Sequence, residues 1–170
     1  MRFLFVLLCC AARTFAADVP AAWKKLHGDL QRSGFYARFP QPPLKLVWRK
    51  ELWRELTGPR AEVIVSDGLA FMGTYEGTMY AWDADTGHER WIFKIGRPIG
   101  HSPVVANGVL YFGAMNRKLY ALEAVSAKIR WTFSCDEGIW SSPIVAGGFV
   151  MFGARDHMTV RTVDRLNRDV

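Results

Sequence analysis

The sequence has few cysteines, no long apolar run and no cluster of acidic residues. Three of its 170 residues are cysteines, too few for a disulfide framework to hold a domain of this size together. No stretch of about 18 consecutive apolar residues occurs, which excludes a membrane-spanning helix. Hydrophobic residues still make up 50% of the chain and charged residues 22%. That composition is typical of a folded domain and excludes a disordered one.

Residues 1–16 are typical of an export signal. Arg2 precedes an apolar stretch over residues 3–12, and small residues at Thr14 and Ala16 mark a cleavage point after Ala16. The alternative is a buried N-terminal strand or helix. Export would place the protein in the periplasm or outside the cell.

The cysteines divide between this signal and the mature chain. Cys9 and Cys10 lie in the signal, and a lipid anchor on either is disfavoured, because Leu8 and Cys9 are not the small residues that precede a lipidated cysteine. Cys135 is then the only thiol of the mature protein. We expect it to be a small apolar residue in or near a strand, and we expect packing and sheet hydrogen bonds to stabilise the fold.

The middle of the chain repeats itself with a period of about forty residues, which is typical of a repeat architecture. Glycines coincide when the sequence is shifted by this period, and so do several prolines and aromatic residues. The matching glycines are Gly68, Gly108 and Gly148, and then Gly73, Gly113 and Gly153.

Each period predicts four short strands. Apolar and polar residues alternate in segments of about five residues, and two-residue turn signals such as Asn107-Gly108 separate them. Such a sheet is apolar on both faces, so neighbouring sheets must stack on it. We therefore predict an all-β fold of β-propeller blades, each a four-stranded antiparallel meander, over residues 61–101, 102–141 and an incomplete 142–170.

Residues 81–91 resemble the tryptophan-docking motif of the PQQ-type β-propeller repeat family, in its exported, BamB-like form. The resemblance implies that an alanine, an aspartate, a Thr-Gly turn and a tryptophan tie each blade to the next. In the second repeat Glu123, Ser126 and Ala127 replace the turn residues, which predicts a looser turn. The implied docking residues are Ala81, Asp83, Thr86, Gly87 and Trp91, with Ala121 and Trp131 in the second repeat.

The two ends of the repeat region depart from a complete propeller. Residues 17–60 resemble a leader with a proline-rich linker, and residues 44–48 resemble the last strand of a preceding blade. After Gly153 the third repeat loses the pattern and has no docking tryptophan, so about two and a half blades are expected, against about four to eight in a closed propeller. A truncated or frameshifted reading frame would explain this, and a longer chain or an oligomer would supply the remaining blades.

The resemblance implies a non-catalytic exported scaffold that binds protein partners, such as envelope assembly proteins. No catalytic, cofactor-binding or metal-ligating residue is assigned. Trp140 is the candidate partner contact, because Gly100 occupies its position in the first repeat and loops before strands often carry binding residues.

Two alternatives stay open, a fragment of a PQQ-dependent quinoprotein dehydrogenase and a nonfunctional remnant. The first would bind pyrroloquinoline quinone and Ca²⁺, but the sequence offers no acidic cluster for the metal. We interpret Asp83 and Asp85 as turn residues. Nucleic-acid binding is disfavoured by export, despite a net charge of +6. The four histidines, which we expect in turns or on the surface, are His27, His88, His101 and His157.

Overall fold

The computed structural model describes residues 43–58, 60–154 and 160–164. All regular elements in these ranges are β-strands, which confirms the all-β fold class. The strands are β1 (Ile64–Ser66), β2 (Leu69–Gly73), β3 (Thr78–Asp83), β4 (Glu89–Lys94), β5 (Val104–Ala106), β6 (Val109–Ala114), β7 (Lys118–Glu123), β8 (Ile129–Ser134), β9 (Ile144–Ala146), β10 (Phe149–Gly153) and β11 (Val160–Asp164). The proposed signal at residues 1–16 and most of the leader lie outside the described residues.

The strands form three antiparallel sheets, each from consecutive strands. Blade 1 contains β1 to β4, blade 2 contains β5 to β8, and blade 3 contains β9 to β11 among the described residues. Each first hairpin turns through two residues with positive φ, as type I′ turns require. These pairs are Asp67-Gly68 (50° and 75°), Asn107-Gly108 (51° and 72°) and Gly147-Gly148 (58° and 95°). The forty-residue period is therefore a structural period.

The hydrophobic core lies between the sheets. Between blades 1 and 2, Phe71 and Met79 are buried in one cluster with Phe112, and the rings of Phe93 and Phe112 lie 6.4 Å apart, edge to face. A second cluster buries Cys135, as expected from the sequence, together with Val150 of blade 3. The aromatic residues in register are thus inter-blade core.

Glycines at the end of the second strands make room for isoleucines from the following loop. A Cβ at Gly73 would lie 2.5 Å from Ile99 Cγ2, and one at Gly113 would lie 2.7 Å from Ile139 Cβ and closer still to Cγ2. Ile99 and Ile139 are 0% and 1% exposed. Any side chain at these glycines would displace a fully buried isoleucine.

The prediction of a last strand at residues 44–48 is wrong for the described structure, in which these residues form no strand. A strand needs a neighbouring strand for its backbone hydrogen bonds, and the described residues provide none there. In contrast, β11 pairs with β10 along its whole length, from Phe149 opposite Asp164 to Gly153 opposite Val160, although the repeat pattern is lost in this part of the sequence.

The second turn keeps the form of the first, but among the described residues it has no counterpart of the hydrogen bond from the Thr86 amide to the Asp83 carboxylate. The Gly87 amide donates to the Asp83 carbonyl over 2.9 Å, and the Ala127 amide donates to Glu123 over the same distance. The Ser126 hydroxyl binds the Glu123 carboxylate at 2.8 Å, as Thr86 binds Asp83. Ala127 keeps the turn by adopting a φ of +59°, which is costly for a residue other than glycine.

Candidate functional site

The antiparallel meander places the connections at two opposite ends of each blade. Hairpins such as 67–68 and turns such as 84–88 lie at one end, which we call the turn end. The loops 74–77, 95–103, 115–117 and 135–143 lie at the other, which we call the loop end. The loop end collects residues from several blades, so side chains distant in sequence meet there.

Trp140 lies at the loop end, against Gly100. A Cβ at Gly100 would lie 2.8 Å from the indole ring, so the absence of a side chain there creates the space that Trp140 fills. The rings of Tyr75 and His101 each contact the indole edge to face, with centroids 5.6 Å away. Trp140 is 37% exposed. Tyr75, His101 and Trp140 therefore form an aromatic cluster built from three separate loops.

His101 departs from the expectation of a surface or turn histidine. Its Nε2 atom is buried and has no hydrogen-bond partner, because the imidazole packs against Trp140. Burial, and then the positive charge of Arg60, lower the pKa of His101 below its ordinary value. The imidazole is therefore neutral near pH 7. His88 is exposed in the turn 84–88, and His27 and His157 lie outside the described residues.

A carboxylate from the leader, Glu55, binds three hydroxyl groups of blade 1 and was not identified from the sequence. Thr74 donates to Glu55 Oε2, while Thr78 and Tyr80 donate to Oε1 over 3.2 and 2.8 Å. Burial, and then the hydrogen bond to Glu55, raise the pKa of Tyr80 to about 12. One signal existed: Thr74 is polar where the other two repeats have alanine, Ala114 and Ala154.

The docking tryptophan of blade 1, Trp91, reaches the next blade at the turn end. The Trp91 indole N–H donates to the carbonyl of Ala124 over 2.9 Å. In its own blade Trp91 lies opposite Ala81, and Trp131 lies opposite Ala121 in the same way. The small alanine leaves room for the indole beside it.

Trp48 docks on blade 1 in the same manner. Its indole N–H donates to the carbonyl of Ala84 over 2.9 Å, and a Cβ at Gly87 would lie 2.7 Å from the ring. The contact was expected only for residues inside the repeats. Its signal is the spacing of Trp48 before Trp91, which is close to the repeat period.

Asp83 at the turn end has a structural role. Asp83 accepts hydrogen bonds from the hydroxyl and the amide of Thr86, at 2.8 and 2.9 Å, and these bonds lower the pKa of Asp83. Asp85 is exposed in the same turn. In the part of the chain that the structure describes, no three histidine, cysteine or acidic side chains converge as a metal site. No helix among the described residues is long and apolar enough to span a membrane.

Three solved structures illustrate the likeness in fold. BamB from Moraxella catarrhalis matches with 20% identity and a TM-score of 0.59, over 70% of this chain and 36% of that chain. Quinohemoprotein alcohol dehydrogenase ADHIIG from Pseudomonas putida HK5 matches with 20% identity and a TM-score of 0.71, over 85% of this chain and 25% of that one. The computationally designed Ika4 protein matches with 18% identity and a TM-score of 0.55, over 68% of this chain and 76% of that one.

The chain thus spans only 36% and 25% of the two natural proteins, and their activities do not transfer with the fold. No curated protein sequence matches it. The family model described as outer membrane protein assembly factor BamB matches residues 44–112 and 91–170. Because these matches cover well over half of the sequence and the blades have the fold of BamB, the chain belongs to the β-propeller family described as outer membrane protein assembly factor BamB.

Proposed function

We propose that the protein is an exported, non-catalytic scaffold that binds protein partners at the loop end of its blades. The aromatic cluster carries this proposal. Trp140 is 37% exposed and is held in place by ring contacts with Tyr75 and His101. A fixed, half-exposed tryptophan offers a large apolar contact at little cost in side-chain entropy, which is typical of protein interfaces.

Family membership supports the same function. The family description names an assembly factor, which is a protein that acts by binding other proteins. The export signal proposed for residues 1–16 would bring the chain to the periplasm, where envelope assembly proteins are found. The partner class we propose is therefore a protein of the cell envelope.

Site-specific photo-crosslinking tests the contact. A photoreactive phenylalanine analogue replaces Trp140 in cells that produce the protein, and it replaces Val125 in a matched control. Val125 is 67% exposed but lies in the turn 124–128, at the turn end. We expect a discrete protein adduct from position 140 only. Equal adducts from both positions, or none from position 140, would contradict the proposal.

The main alternative is a fragment of a quinone-dependent dehydrogenase, suggested by the alcohol dehydrogenase with the same fold. Titration of the purified protein with pyrroloquinoline quinone and Ca²⁺, followed by tryptophan fluorescence, separates the two functions. We expect no saturable quenching. Saturable quenching that requires Ca²⁺ would favour the dehydrogenase fragment.

A further inference from the structure

The aromatic cluster is in contact with residues that precede blade 1. Residues 55–58, which we call the clamp segment, lie against the loop 74–77 at the loop end. The Tyr75 amide donates to the carbonyl of Leu56 over 2.6 Å. A Cβ at Gly58 would lie 2.5 Å from Tyr75 Cε2, so the Tyr75 ring packs directly on the Gly58 backbone. The clamp segment therefore restrains both the backbone and the ring of Tyr75.

Glu55 binds both ends of the same loop. Thr74 begins the loop and donates its hydroxyl hydrogen to Glu55 Oε2, and Thr78 follows the loop and donates to Oε1 over 3.2 Å. The Thr74 hydroxyl oxygen in turn accepts from the Thr78 amide over 3.2 Å. Tyr80 is the third donor to the carboxylate, over 2.8 Å. Because hydrogen bonds to a carboxylate are stronger than those to a neutral acceptor, Glu55 holds the two ends of the loop together.

Blade 2 restrains its equivalent loop without such a carboxylate. There the loop residue Asn116 donates to the hydroxyl oxygen of Tyr120 over 2.5 Å, which ties the loop to its own blade. The same position in the first repeat is Glu76, which is exposed, and the equivalent tyrosine, Tyr80, donates to Glu55 instead. The loop of blade 1 is therefore tied to its blade through a residue of the clamp segment.

Tyr75 passes this restraint on to Trp140. The two rings meet edge to face, with centroids 5.6 Å apart and an angle of 79° between their planes, an arrangement that aromatic pairs prefer. Gly100 gives the indole room, and the rings of Tyr75 and His101 select its orientation within that room. Movement of Tyr75 would therefore change the orientation and the exposure of Trp140.

We propose that Glu55 is a positioning residue for the aromatic cluster, acting through the loop 74–77 and Tyr75 on Trp140. This inference rests on the proposed function, because it names the residue that prepares the same surface for a protein partner. A contact residue that is already fixed loses less entropy on binding than a mobile one. Glu55 then contributes to partner affinity through the position of Trp140 and without a contact of its own.

Fluorine NMR of the protein labelled with 5-fluorotryptophan tests the positioning without a partner. The chain has seven tryptophans, and the signal of Trp140 is the one missing from the Trp140→Phe variant. We expect Glu55→Ala to shift or broaden this signal. The matched control is Glu51→Ala, because Glu51 is a carboxylate of the same leader that instead contacts Arg49 and Trp53. It should leave the Trp140 signal unchanged.

Two further variants test the route from Glu55 to the indole. Thr74→Ala removes one donor to Glu55 and introduces the alanine that the other two repeats have at this position, so the fold accepts it. It should shift the Trp140 signal as well. In a Tyr75→Leu background, Glu55→Ala should cause no additional shift. Circular dichroism checks that each variant is folded. An unchanged Trp140 signal in Glu55→Ala and Thr74→Ala, or an equal shift with and without Tyr75, overturns the proposal.

Partner capture gives the functional readout. The protein identified by the cross-link from position 140 is captured from envelope extracts by tagged protein that keeps Trp140. We expect Glu55→Ala to capture less of this partner, and Glu51→Ala to capture as much as the parent protein. Equal capture by all three overturns the role of Glu55 in affinity. If the parent gives no adduct from position 140, the proposed function fails, while the fluorine signal still decides whether Glu55 positions the indole.

Discussion

Replacing Gly113 by alanine should destabilise the protein by a net amount of up to about 2.6 kcal/mol. The new Cβ would lie 2.7 Å from Ile139 Cβ and closer still to its Cγ2, whereas carbon atoms pack best about 3.5 to 4.0 Å apart. Ile139 is 1% exposed and forms a bridge with Ala154, so it has little space to move. Overpacking of this kind costs about 1 to 3 kcal/mol, offset in part by about 0.4 to 1 kcal/mol from the stiffer unfolded chain.

Gly153→Ala is the matched control, because Gly153 occupies the same repeat position as Gly113, one repeat later, at the end of β10. There the nearest atoms, from Ser141, lie 3.5 and 3.6 Å from an added Cβ, which is ordinary van der Waals contact. Gly153→Ala should therefore be neutral or stabilise by about 0.4 to 1 kcal/mol.

Urea denaturation followed by circular dichroism measures both variants. The melting temperature of Gly113→Ala should also fall, by up to roughly 10 °C for a chain of this size. Equal effects at the two glycines would refute the reasoning, since it attributes the difference to Ile139 alone. An unchanged urea midpoint for Gly113→Ala would also refute it.

Three further predictions concern the second turn and two titrating groups. Ala127→Gly should stabilise the protein by about 0.5 to 1 kcal/mol in the same denaturation assay, because glycine adopts the φ of +59° without strain; a loss of stability would contradict the strain. The lowered pKa of His101, caused by burial and then by Arg60, gives stability that is present above the ordinary histidine pKa and is lost as the pH falls through the folded value. The stability of His101→Gln should show less of this acid dependence between pH 7 and pH 4, and an unchanged profile would exclude His101 as its source. The pKa of Tyr80, raised to about 12, gives stability that is present below pH 10 and is lost as the pH rises through about 12. Glu55→Gln should lower this pKa in an ultraviolet tyrosine titration, and no change would show that burial alone raises it.

The blades were predictable from the sequence because one pattern is repeated. Type I′ hairpins demand positive φ at both central positions, so Asn107-Gly108 and its counterparts marked each first turn. Because the same turn signals recur in each repeat, every repeat supports the strand assignment of the others, and together they predict the fold.

The candidate site was only partly predictable because it depends on loops. Trp140 was a candidate contact because it differs from Gly100 at the same repeat position, but nothing in the sequence placed Tyr75 beside it. Trp140 and Gly100 occupy the same position in neighbouring repeats, and their contact shows that a large side chain in one loop can fill the space left by a glycine in the other. Thr74 gave a similar signal for Glu55, since a polar residue replaced alanine in one repeat alone. Departures from a repeat identify such contacts better than the repeat itself does.

Residues 44–48 separate docking from strand formation, two properties that their sequence suggested together. Trp48 docks on blade 1 through side-chain packing and one hydrogen bond to Ala84, and neither requires a strand beside it. Strand formation requires backbone partners, and the described residues supply none. Blade 1 therefore holds Trp48 in position without a strand beside it in the described structure.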